Sequence, residues 1–65
     1  MNMNKVIVSV GYVEDIMTNS YVEELSFSSY EEAVSYVKNR QAEQDNFNNN
    51  LWYNSGEFFM IRQIN

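Results

Sequence analysis

The stretch that most constrains this chain is its last strand-like run, Glu57-Phe58-Phe59-Met60-Ile61-Arg62-Gln63-Ile64. A strand sends successive side chains to opposite faces of its sheet, so Phe58 and Met60 share one face while Phe59 and Ile61 share the other. Apolar residues on both faces need cover on both faces, which a central position in a sheet provides. Any fold for this chain must therefore place that segment inside.

The rest of the sequence supplies the neighbours. Residues 5–13 are rich in β-branched and aromatic side chains, as strands are. Val6, Val8, Val10 and Tyr12 fall on one face, which marks the core side. Thr18-Asn19-Ser20 carries turn chemistry, and residues 21–27 alternate again, with Tyr21, Leu25 and Phe27 on one face. A turn of even loop length near Thr18–Ser20 joins that face to Val10 and Tyr12, predicting a hairpin. Ser28-Ser29-Tyr30-Glu31-Glu32 then announces a helix, since Ser29 with Glu32, or Ser28 with Glu31, fits a capping box. The stripe Tyr30, Ala33, Val34 and Val37 faces the core, and the helix is predicted to reach Gln44, fraying past Lys38 and Arg40. Asp45 to Asn50 is a polar connection in which Phe47 either starts a strand early or plugs the helix end. Leu51-Trp52-Tyr53 is a short strand, and Asn54-Ser55-Gly56 is a hairpin turn. The sum is an α+β fold in a single domain over residues 1–65: a four-stranded antiparallel sheet with one helix on one face, in the order β-β-α-β-β.

Chemistry is limited by what is missing. A chain of 65 residues buries about 60% of its unfolded surface, and this one has neither cysteine nor histidine. Disulfides and thiolate metal sites are thereby excluded, and so are the commonest metal ligand and the usual base near neutral pH. Stability must come from the ten aromatic residues or from a second chain. The serines have no histidine to activate them. The two glycines, Gly11 and Gly56, are too far apart to cradle a phosphate. Asp45-x-Phe47-x-Asn49 opens like a calcium loop but puts Phe47, Asn50 and Gly56 where an oxygen ligand, a glycine and a glutamate are needed. The carboxylate pairs Glu14-Asp15, Glu23-Glu24 and Glu31-Glu32 read as solvated charge. A non-catalytic domain without cofactor or metal is expected. The amino terminus lacks the pattern of a signal peptide, and the longest apolar run among the early residues, Val6-Ile7-Val8, is far short of a membrane span. A soluble, cytoplasmic protein is the expectation.

Nine acids against four bases give a net charge of −5. That disfavours direct contact with nucleic acid or anionic lipid and favours a protein partner with a basic surface, or simple solubility. Aromatic residues on a sheet can stack nucleobases, but such platforms need a basic surround. Two surfaces are candidates for partner binding. In the hairpin, Glu14 or Asp15 is expected opposite Glu23 or Glu24, an unfavourable pairing that a basic partner would relieve. The competing reading is charge that guards an edge strand from aggregation. The second surface is the sheet face away from the helix, whose narrow stripe is too small a lid for four strands. Phe58 and Met60, or Phe59 and Ile61, are expected there with Ile7, Val13, Val22 and Trp52, and Trp52, Tyr53, Phe58 and Met60 are the candidate partner-binding residues. Uncovered apolar patches mark interfaces, and Trp and Tyr dominate binding hot spots, so a homodimer built sheet to sheet or edge to edge is the structural expectation.

In size, acidity, richness in Asn, Tyr and Glu, and β-β-α-β-β order, the chain resembles small phage-encoded inhibitors of the anti-CRISPR and counter-defence type. The resemblance spans the whole chain in composition and element order and carries no motif, so no functional residue is transferred. It implies a stoichiometric inhibitor acting in the host cytoplasm, its acidic groups competing for a nucleic-acid surface on a host protein. The alternative is a self-associating structural or accessory module with no inhibitory role.

Overall fold

A computed structural model describes residues 5–64. Five strands, β1 (Lys5–Tyr12), β2 (Glu23–Phe27), β3 (Glu43–Gln44), β4 (Leu51–Tyr53) and β5 (Glu57–Ile64), form one antiparallel sheet in the order β2-β1-β5-β4-β3. A 3-10 segment (Val13–Thr18) separates β1 from β2, and one helix, α1 (Tyr30–Asn39), follows β2. No helix among the described residues is long and apolar enough to cross a membrane.

β5 occupies the middle of the sheet, as its two apolar faces demand. On the α1 side, Phe59 and Ile61 stand beside Val10 and Val8 in register and pack with Val6, Trp52, Ala33, Val37 and Ala42. Burying one such aliphatic or aromatic side chain contributes about 1.5–3 kcal/mol, so this layer holds the helix to the sheet. Ser29 caps α1 by accepting the Glu32 N–H at 3.1 Å. The Glu32 carboxylate reaches back past it, accepting from the Ser28 N–H at 3.1 Å and the Ser28 hydroxyl at 2.7 Å.

The sheet has five strands where four were expected, because α1 stops at Asn39 and does not reach Gln44. Beyond Val37 the helical stripe has no apolar residue to bury. Gln41 instead turns into left-handed backbone at φ 62, which swings Ala42 into the core. Glu43 and Gln44 can then pair with Tyr53 and Trp52 as a short edge strand.

The second face is covered differently from the expectation. Phe58 is 0% exposed although it lies on the face away from α1. Gly11 sits opposite it in register, and a Cβ there would come 2.6 Å from the Phe58 ring and 2.5 Å from the Ser20 carbonyl oxygen. The ring thus uses the space that a bare glycine leaves. Tyr21 stacks on it from outside, with ring centroids 5.5 Å apart. The 3-10 segment carries the chain back to this point, so Ser20 and Tyr21 act as a second lid. Tyr21 is accordingly lost from the face of Leu25 and Phe27 to which its alternation assigned it. The opposition of Glu14 and Asp15 to Glu23 and Glu24 is also absent. The first two belong to the 3-10 segment, while Glu23 pairs with Val10 and Glu24 with Ser9.

Candidate protein-binding surface

An open groove runs between α1 and β2, lined by Phe27, Glu31, Glu32, Ser35, Tyr36 and Asn39. Local chemistry builds it. β2 ends on Phe27, the Ser28-Ser29 cap reverses the chain, and the first helical turn carries Glu31 and Glu32 along one bank. Tyr36 forms the floor, its ring 5.4 Å from Phe27 and edge-on to the buried Phe59 at 6.0 Å. Aromatic pairs at these separations favour tilted or edge-to-face geometry, so the floor is tied to the core. The groove encloses about 520 Å³, a volume typical of small-molecule sites, yet it is open to solvent and cannot desolvate a reacting group.

Its electrostatics are one-sided. Arg40, just past the end of α1, places its guanidinium 5.9 Å from the Tyr36 centroid and donates to Glu57 at 2.7 Å. That hydrogen bond holds the Glu57 carboxyl below its ordinary value, helped by Asn54. Asn54 also donates to the Arg40 carbonyl at 2.8 Å, closing the end of the helix. The other ion pair joins Arg62 to Glu24 at 3.1 Å across the sheet, over the buried Ser9. Among the described residues Glu23, Glu31 and Glu32 make no ion pair. Serine N–H and O–H groups hold the Glu32 carboxyl below its ordinary value, so it stays charged near neutral pH.

The residues singled out from sequence scatter over the molecule. Glu14 is exposed and Asp15 half-buried in the 3-10 segment; Glu23 and Glu24 occupy the edge strand β2. Trp52 is only 6% exposed and belongs to the α1-side core, where its indole N–H finds no hydrogen-bond partner among the described residues. Phe58 is enclosed beneath Tyr21 and Met60 is half-buried. Trp52 and Phe58, expected on an uncovered face, are walls of the interior. Tyr53 alone of the aromatic candidates reaches solvent, donating its hydroxyl to Asp45 at 3.2 Å.

Sequence reasoning passed over Phe27, Glu31 and Tyr36. Their signal was present: Tyr36 lies just off the helical stripe, on the flank where the acidic first turn faces the preceding strand. Phe47, expected to start a strand early or to plug the helix end, does neither. It is 96% exposed at the tip of the β3–β4 connection. Asp45 fixes that tip by accepting the Phe47 and Asn48 N–H groups, each at 2.9 Å. Asn48 accepts from the Asn50 N–H at 3.0 Å, and Gln44 donates to the Asn49 carbonyl at 2.8 Å.

Among the described residues no three acidic side chains converge in a way that could hold a metal ion. Comparison with known protein families, curated proteins and solved structures found no match.

Proposed function

We propose that this chain is a non-catalytic protein-binding domain whose partner presents a basic surface, acting as a phage-encoded inhibitor of a host nucleic-acid-handling or defence complex in the host cytoplasm. One observation carries the reading: an aromatic-floored groove with unpaired carboxylates, beside an edge strand with two more acidic residues. Aromatic rings attract guanidinium and ammonium groups through their faces, and carboxylates bind them by charge-assisted hydrogen bonds. The chain uses this combination itself, since Arg40 lies over Tyr36 while paired with Glu57. An acidic chain of net charge −5 also suits a surface that otherwise holds phosphates.

The test is binding of a host nucleic-acid-handling complex to the immobilised chain, with that complex's nucleic acid as competitor. Affinity should fall steeply with salt, and the Glu23→Gln/Glu31→Gln pair should weaken it about tenfold at low salt, as two lost charge contacts imply. Affinity that ignores both salt and the paired substitution would sink the reading.

A further inference from the structure

Resting on that reading, we propose that the partner docks by strand addition: an extended segment with arginine or lysine at alternate positions pairs with the outer edge of β2 as a sixth strand. β2 spans Glu23–Phe27 and ends the sheet, with β1 on one side and, among the described residues, no strand on the other. Every second residue of such an edge turns its N–H and C=O outward, a template for another strand. The α1–β2 groove lies along the same edge, above the helix-side face.

Side-chain parity fits an alternating basic segment. Leu25 and Phe27 point to the α1 side, where they pack against the core. Side chains of an added strand on that side would run into the groove, over Phe27 and Tyr36 and between Glu31 and Glu32. Glu23 shares that face by its spacing from Leu25. Its register against Val10, two residues from the Tyr12–Glu57 pair, places it toward the end of the sheet where Glu57 holds Arg40. On the opposite face the added strand would meet Glu24, which holds Arg62 at 3.1 Å.

A second copy of this chain is the poorer occupant. Antiparallel pairing of β2 with itself about a two-fold axis at Leu25 would set Glu23 against Phe27 and Glu24 against Ser26 of the other copy, so neither acid gains a counter-charge. A basic strand supplies the counter-charge that a second copy lacks.

The probe is an end-capped seven-residue peptide of alternating arginine and valine. Its control has proline in place of each valine, which keeps the charge and removes backbone donors. Binding is followed by nuclear magnetic resonance of the full chain, with amide exchange read residue by residue. The valine peptide should slow exchange of outward-facing β2 amides and bind about tenfold tighter than the control at equal salt. It should also lose affinity to Glu23→Gln/Glu31→Gln, a surface change that leaves the core intact. Equal binding of the two peptides would overturn strand addition, as would shifts confined to the 3-10 segment or to residues 45–50. A chain that already dimerises with its β2 amides protected would overturn it too. Capture of a host complex with β2 amides unprotected removes the sixth strand and spares the protein-binding reading. Slowed β2 exchange with the peptide, but no host complex bound, does the reverse.

Discussion

The two edges of the sheet are managed in opposite ways. At one end β3 is only two residues long, and the chain leaves it at once for residues 45–50. There the side chains of Gln44, Asp45 and Asn48 satisfy the backbone, so little remains for another strand to pair with. At the other end β2 is five residues long and carries charge in place of a cover. Short length and self-satisfied loops close an edge to every partner; charge closes it only to partners of the same sign. The contrast assigns structure to the β3 end and recognition to the β2 end. It does so even though the β3 end displays the most exposed aromatic of the chain, Phe47.

The largest test strikes the lid that leads into β2. Phe58→Ala empties the space beneath Tyr21 and should cost about 3–5 kcal/mol in urea unfolding, most of the stability of a domain this size. Gly11→Ala is the sharper probe, since its methyl would sit 2.5 Å from the Ser20 carbonyl oxygen and force the backbone there to move. About 1–3 kcal/mol should be lost, and exchange should rise first at the amides of β2 while β3 and β4 keep their protection. An unchanged urea midpoint for Gly11→Ala would mean that Ser20 and Tyr21 do not close over Phe58.

The β3 end should instead respond to acid. The Phe47 and Asn48 N–H groups, with the Tyr53 hydroxyl, hold the Asp45 carboxyl below its ordinary value of 3.8. A carboxyl depressed in the folded state stabilises the fold above its unfolded value, and that contribution disappears as pH falls through the folded value. Glu32, held by Ser28, and Glu57, held by Arg40, have the same sign, so stability should decline as the solution is acidified below the ordinary carboxylate range. The amide shifts of Phe47 and Asn48 should titrate with a midpoint under 3.8. Asp45→Ala should speed their exchange at neutral pH without touching β2. A midpoint at or above the ordinary value would show the loop to be unlocked, and the contrast between the ends would weaken.

What the sequence reveals of all this is local. The strand over Val6–Val10, the Ser29–Glu32 cap, the Asn54–Gly56 turn and the central place of β5 each follow from residues close together in the chain. The 3-10 segment does not, because Glu14 to Thr18 has neither helical nor strand periodicity. β3 does not either: its two residues are a strand only because β4 lies beside them. The lid over Phe58 joins Gly11, Tyr21 and Phe58, each in a different part of the chain, and Gly11 in a strand says nothing by itself about which ring it makes room for. Missing that lid is what placed Phe58 on the surface, whereas Trp52 was misplaced because only its register against Phe59 shows that it faces α1. For the candidate site, Glu23 and Glu24 were visible as charge on a strand. The groove exists only once α1 lies along β2, so Phe27 and Tyr36 were not.

The smallest effect separates the two purposes that charge at the β2 edge can serve. Arg62 and Glu24 are both more than half exposed at 3.1 Å, and such pairs contribute little, so Arg62→Gln should change stability by less than about 0.5 kcal/mol. Its effect on binding should be larger than its effect on folding. Without Arg62, Glu24 is released toward the outer edge, and the alternating arginine–valine peptide should bind about two- to threefold tighter at low salt, converging with wild type as salt is raised. Charge that only repels other copies of the chain gives a different outcome, with peptide affinity unmoved and only self-association reduced. Because the substitution reaches the interior only through the 3.4 Å contact to Ser9, whose hydroxyl keeps Glu24 as a partner, a change in peptide affinity can be read as electrostatics at β2 and not as a loosened sheet.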